Sequence, residues 1–215
     1  MRSLSLRCVR LSQPTWIAAT SSKTIVRHNS TRTHLSPLQE DYRHIMRAIT
    51  ANVVILTSPP ATSRNSEPSK PRAMTLSSFT SLSISPTPLI TFNIATPSRT
   101  LTALTENPRF NIHIPLAAAA GAKLAHRFTK GNSESMWEGL KWDEHGVIHD
   151  DGVMAVLKCR LAAGDKFPPG GMIQVGDHAV VVGKVEEARP GGDDHSALTH
   201  WQGNYRGYGM ELDIP

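Results

Sequence analysis

Between Thr75 and Ser85, seven of eleven residues carry a hydroxyl and none carries a charge. Hydroxyls donate and accept without bulk, so this stretch suits a phosphate or the polar edge of a flat ring. The same composition also makes ordinary turns in antiparallel proteins. A second set, Ser98-Arg99-Thr100, stands where a short helix should begin. Backbone amides at a helix start, two hydroxyls and one cation make a ready anion site, and Ser98 serves equally as a plain N-cap. The third set is Gly176-Asp177-His178, directly before a β-branched run, where the imidazole either faces a ligand or satisfies a turn. Together the three sets suit a ligand with a phosphate at one end and a flat polar ring at the other.

Several other kinds of chemistry are missing from the sequence. There is no G-x-x-x-x-G-K-[ST] loop, no G-x-G-x-x-G after a strand, no C-x-x-C, no H-E-x-x-H and no G-x-S-x-G elbow. The ten histidines are scattered; Asp193-Asp194-His195 in a Gly-Gly loop has the residue types to hold a metal but reads better as a solvated turn, so no metal is expected. Cys159 sits in an apolar-alternating segment and reads as a small buried residue; with only Cys8 besides, it predicts no internal disulfide.

The elements that must position these sets are mostly strands. Ser36-Pro37-Leu38-Gln39 is a helix start, and Leu38, Tyr42, Ile45, Met46 and Ile49 share one face, so residues 37–50 predict an amphipathic helix. Val53 to Thr57 is a buried strand, and Ser58 to Pro71, with four prolines, is a long exposed hairpin loop. Arg72 to Thr75 returns antiparallel into the hydroxyl stretch. There the apolar period of two shifts at Ser77-Ser78 and again at Thr80-Ser81, predicting a strand, a corner and a second strand through Leu82 and Ile84. Leu89 to Ile94 is a strand, Ser98 caps a short helix ending at Asn107-Pro108, and Phe110 to Ile114 alternates as a strand. Ala117 to Phe128 is helical. Thr129 to Gly152 is irregular, with Trp137 and Trp142 as anchors. Met154 to Leu161, Met172 to Val175 and His178 to Val185 are strands, the last two joined at Gly176-Asp177. Short connections favour an antiparallel barrel over a parallel sheet.

The net charge of +5 is carried entirely by residues 1–29, which hold Arg2, Arg7, Arg10, Lys23 and Arg27 and no acid. The rest is formally neutral and lacks the basic surplus that nucleic-acid binding needs. Residues 1–35 read as a mitochondrial transit peptide and disordered lead, with Arg27-His28-Asn29 before Ser30 as a cleavage-like site, and imply the mitochondrial matrix. No run is long and apolar enough for a membrane span. Residues 36–215 make one domain.

Arg72 to Ser83, Pro86 to Leu89, Ser98-Arg99-Thr100, Phe110-Asn111-Ile112, Leu124 to Phe128 and Gly176-Asp177-His178, in that order, resemble the flavin reductase-like family over roughly residues 42–208. The resemblance implies a mainly β fold with peripheral helices, an antiparallel Greek-key split β-barrel that binds FMN, usually as a homodimer. It implies an FMN-dependent NAD(P)H:flavin oxidoreductase using NADH or NADPH as electron donor, with a monooxygenase or other electron acceptor as partner. On it, Met74, Thr75, Leu76, Ser77 and Ser78 line the isoalloxazine, largely through backbone groups. Ser78, Thr80 or Ser81, with Ser98, Arg99 and Thr100, hold the ribityl phosphate, and His178 stands catalytically near the flavin or nicotinamide face. Tyr205 and Tyr208 either close over the flavin or pack at a dimer contact. The alternative is a non-catalytic FMN-binding, or flavin-less, accessory protein of the mitochondrion on the same barrel. The Ser58–Pro71 loop is longer than the family's usual hairpin.

Overall fold

The hydroxyl stretch turns out to be the seam of a curled sheet. The computed structural model describes residues 35–60, 70–130, 133–192 and 196–207. Contacts divide the chain into Met1–Ser36 and Pro37–Pro215, and the architecture below is that of the second unit. The expected transit peptide, the middle of the Ser58–Pro71 loop, Asp193-Asp194-His195 and Tyr208 lie outside the described residues.

In chain order the elements are α1 (Pro37–Ala48), β1 (Ala51–Asn52), β2 (Val54–Ser58), β3 (Arg72–Leu76), β4 (Thr80–Ser83), β5 (Leu89–Ala95), α2 (Arg99–Glu106), β6 (Arg109–Pro115) and α3 (Ala119–Arg127). There follow β7 (Lys141–Trp142), β8 (Ile148–His149), β9 (Val153–Leu161), β10 (Met172–Val175), β11 (His178–Arg189), β12 (Thr199–Trp201) and β13 (Asn204–Arg206). The main sheet is antiparallel, in the order β3-β2-β6-β9-β11-β5-β4, with β10 added against the start of β11. Its two outermost strands, β3 and β4, are successive in the chain and joined only by Ser77–Phe79. Four residue steps span at most roughly 14 Å, so the sheet must curl until its edges nearly meet. That is the split barrel, open at the seam. The connection from β5 through α2 carries the chain across to β6 beside β2, as Greek-key order requires.

Two cores hold this shape. Inside the barrel, Val54, Leu56, Leu76, Ile90, Phe92, Ile94, Phe110, Ile112, Leu161 and Val181 pack together, with Leu104 of α2 closing one end. Gly183 of β11 is required there, because a Cβ would lie 2.6 Å from Cζ of Phe110. Outside β2 and β3, Leu124, Ala125 and Phe128 of α3 and Met136 and Trp137 pack on Val53, Ile55 and Ala73. Trp137 and Trp142 are the anchors that the sequence predicts, in edge contact at 5.9 Å.

Three expectations change. The alternation of apolar and polar residues along β6 is not matched by burial: Asn111 and His113 are buried together with Phe110 and Ile112. The segment after α3 covers them, and they bond its backbone: Asn111 Nδ2 donates to His145 O (2.9 Å) and His113 Nε2 accepts from Ile148 N (2.9 Å). Leu82 on β4 and Ile84, just past its end, are exposed where their period of two predicts a buried face, and the strand stops at Ser83 instead of running through Ile84. Finally, α1 forms as predicted, but none of its residues is buried, and its apolar stripe of Leu38, Tyr42, Ile45, Met46 and Ile49 faces outward.

Candidate functional site

Strand β5 carries the site. Ile90, Phe92 and Ile94 point into the barrel, so Thr91, Asn93 and Ala95 face out. Register extends this outer face across neighbouring strands: Thr80 pairs with Thr91, His178 with Ala95, and Val180 with Asn93. On β10, Val175 opposes His178 and Ile173 opposes Val180, and both apolar side chains are exposed, at 58% and 48%. The result is an outward, uncharged platform of hydroxyl, amide and apolar groups with one imidazole at its end.

The corner is fastened to this platform by a residue the sequence does not single out, Asn93. Its backbone N–H donates to Ser78 Oγ at 2.9 Å, and Ser78 Oγ donates to its carbonyl at 3.2 Å. Asn52 Nδ2 adds a bond to Phe79 O at 3.2 Å. A single Asn within a β-branched strand gives no sequence signal; only the fold brings it against Ser78.

Five residues beyond Asn93, Ser98 caps α2 as expected, accepting from Leu101 N at 3.3 Å, while its carbonyl takes Thr102 N at 3.1 Å. The amides of Arg99 and Thr100 have no acceptor within the helix and point out of its start. The Gly176-Asp177 turn, with Gly176 at φ +58°, lies against the same place: Thr96 N donates to Asp177 O at 2.8 Å, and Gln174 Nε2 reaches Thr96 Oγ1 at 3.0 Å. His178 Nδ1 is 2.8 Å from Asp177 Oδ1. The hydrogen bond and charge of His178 hold the Asp177 carboxyl below its ordinary value. An ionised carboxylate only accepts, so Nδ1 is the donor and Nε2 is left for a ligand.

The three sets therefore come together at the end of β5, but not every side chain faces that place. Thr75 turns to the other side, its hydroxyl donating to Ala125 O (2.5 Å) and its amide to Phe128 O (3.2 Å). Met74 and Leu76 pack with the barrel core, so they can offer backbone only. Ser81 opposes the inward-facing Ile90, away from Thr80. Thr100 is buried and Arg99 exposed, facing a cavity of about 450 Å³ that neither Ser98 nor Thr100 lines. Ser77 lines a different hollow, shared with Met46 and His200. Tyr205 packs on the outer core, edge-on to His126 and His200 at 6.3 and 5.9 Å. Backbone groups at the corner, hydroxyls and free helix amides form a donor set that fits a phosphorylated flat ring, while the Arg99 side chain faces its own cavity.

Residues 46–209 match the Flavin reductase like domain family. The NADH:FMN oxidoreductase of Rhodococcus qingshengii is 31% identical over 173 residues, 77% of this chain and 79% of the relative. The reductase component of 4-hydroxyphenylacetate 3-monooxygenase from Thermus thermophilus is 32% identical over 135 residues, 63% of this chain and 78% of its own length. Among solved structures, the NADH:FAD oxidoreductase SgcE6 of Streptomyces globisporus, in complex with NAD and FAD fragments, superposes with TM-score 0.65 at 23% identity, covering 84% of this chain and 99% of that one. With its barrel, its seam and its motifs in family order, the chain belongs to the flavin reductase-like domain family.

Proposed function

We propose that the protein is an NAD(P)H-dependent flavin reductase that passes a hydride from a nicotinamide to FMN, and the convergence of Ser78, Ser98 and His178 at one end of β5 carries this reading. Bound flavin supplies the hydride acceptor at its N5, so the chain need not contribute an acid–base pair. Its residues bind and align. The α2 amides, Ser98 Oγ and Arg99 would hold the phosphate. The corner backbone from Ser77 to Phe79 would hold the ring edge, and Thr80 the ribityl side. The exposed Ile173 and Val175 give an apolar floor against which two rings can lie, and His178, fixed by Asp177, borders it.

The Rhodococcus and Thermus relatives support FMN, NADH and a monooxygenase that consumes the reduced flavin. A second copy of the chain would cover the bare stripe of α1 and the exposed Leu82 and Ile84, giving a homodimer. The acid-free, Arg- and Ser-rich first 29 residues support a mitochondrial matrix location, and import into isolated mitochondria with loss of the leader tests that. Steady-state oxidation of NADH and NADPH by the purified full chain, with FMN, FAD or riboflavin supplied, tests the activity. Flavin-dependent consumption is expected. Tight flavin binding with no consumption would point instead to the accessory-protein alternative.

A further inference from the structure

The corner Ser77–Phe79, whose backbone would hold the ring edge, belongs to no strand, and its amides donate to nothing among the described residues. Two side chains fasten it, each from a different strand. Ser78 Oγ stands in for a ladder partner of Asn93 on β5, accepting from its N–H at 2.9 Å and donating to its carbonyl at 3.2 Å. The other is Asn52 of β1, whose Nδ2 donates to Phe79 O at 3.2 Å. A carbonyl oxygen only accepts, so the amide nitrogen of Asn52 and not its Oδ1 must face Phe79.

Asn52 is itself braced. It pairs with Thr199 of β12, and the next residue, Val53, donates its N–H to Leu198 O at 3.2 Å. The far end of β12 is tied to the end of α1, Trp201 Nε1 donating to Ala48 O at 3.0 Å and Gln202 N to Arg47 O at 3.3 Å. The bond to Phe79 therefore runs from a supported strand to a corner with no ladder of its own. The Phe79–Thr80 peptide is trans, and in a trans peptide the carbonyl and the following N–H point opposite ways. A Phe79 carbonyl held toward β1 thus turns Thr80 N–H toward β5, where Thr80 pairs with Thr91. With Ser78 clipped one residue earlier, the amide of Phe79 has little freedom to swing.

We infer that Asn52 is a positioning residue for flavin reduction, holding the Phe79 carbonyl so that the free amides of the corner meet the polar edge of the ring in one orientation. The inference rests on the flavin reductase reading, since without a ring at the corner there is nothing to orient. It requires a donor at residue 52. Asn52→Asp keeps the shape but sets a carboxylate against a carbonyl oxygen, which removes the bond and adds repulsion. Asn52→Gln keeps the donor on an arm one methylene longer, and Asn52 is exposed, so the longer arm has room.

Fluorescence titrations of the full chain with FMN and with riboflavin, on wild type, Asn52→Asp and Asn52→Gln, are read beside single-turnover bleaching of bound flavin by NADH or NADPH. Melting curves give the folded fraction of each preparation. Asn52→Asp should weaken both flavins by about tenfold and by the same factor, because the corner meets the ring and not the phosphate. At saturating FMN and nicotinamide its bleaching should slow by about threefold or more, since a ring held less firmly is less well aligned. Asn52→Gln should recover most of both losses. A merely structural role would lower the folded fraction and move neither reading. Wild-type affinities and rate in Asn52→Asp, a loss confined to FMN, or Asn52→Gln no better than Asn52→Asp would overturn the assignment. Wild type that binds no flavin, or binds it and never bleaches, sinks the reductase reading; with wild type active, the same variant results sink only the role of Asn52.

Discussion

Acid should unfold this protein through one histidine. His113 is fully buried on β6, where Nδ1–H donates to Ile55 O (3.3 Å) on β2 and Nε2 accepts from Ile148 N (2.9 Å) on β8. Both ring nitrogens are used by the neutral form alone, so protonation breaks the bond to Ile148 and places a charge in the interior. Burial lowers its pKa from 6.5 to about 4; the carbonyl of Ile55 and Asp143 pull it up, and His149 pushes it further down. Above about pH 6.5 neither folded nor unfolded chain protonates it, and stability is undiminished. As pH falls from 6.5 towards 4 the unfolded chain takes up the proton and the folded chain does not, so stability is lost through that window. At about 1.4 kcal/mol per pH unit, the loss amounts to about 2 kcal/mol at pH 5 and about 3 kcal/mol at the lower end. Urea unfolding at pH 7 and pH 5, on wild type and His113→Gln, isolates this term, because the remaining titrating groups are common to both. The variant should start about 1–3 kcal/mol less stable at pH 7, with a buried amide poorly matched. It should then lose about 2 kcal/mol less than wild type on acidification. Equal losses would refute the assignment of a buried neutral imidazole.

Two further outcomes follow from packing and from the helix start. Gly183→Ala puts a methyl 2.6 Å from Phe110 Cζ and 3.3 Å from Ile90 Cγ1, inside a filled barrel, and should cost about 1–3 kcal/mol by chemical denaturation; a neutral change would mean that the barrel interior is looser than drawn. Ser98→Ala combined with Arg99→Ala should weaken FMN by about tenfold or more in fluorescence titration while riboflavin stays within about twofold, since only FMN carries the phosphate. Equal weakening of both would remove the phosphate assignment.

Local signals in the sequence foretold the parts of this fold that are made locally. Ser98 caps α2 because its side chain reaches an amide three residues on, and Pro37 starts α1 because its ring suits the first turn. Cys159 is buried as its alternating neighbours imply, and burial pushes its thiol up to about 12. What stayed hidden depends on long-range partners. Alternation along β6 sets Asn111 and His113 apart from their apolar neighbours, and nothing in the irregular residues 129–152 says that they will lie over both. Thr75 reads as one more hydroxyl of the stretch until α3 is placed beside it and Ala125 O accepts its hydrogen bond. Asn93 gains its significance only when the sheet curls and brings it against Ser78. The amphipathic pattern of α1 predicts a helix correctly but not what its apolar stripe meets, since periodicity records a face and not a partner.

The claim on which the rest depends is that the uncharged platform at the end of β5 holds a flavin in line for hydride transfer. An anaerobic absorption spectrum of the full chain reconstituted with FMN, taken before and after one equivalent of NADH, addresses it directly. The account predicts a protein-bound yellow flavin that bleaches on addition of NADH. A preparation that retains no FMN, or whose bound flavin stays oxidised with both NADH and NADPH, would contradict it.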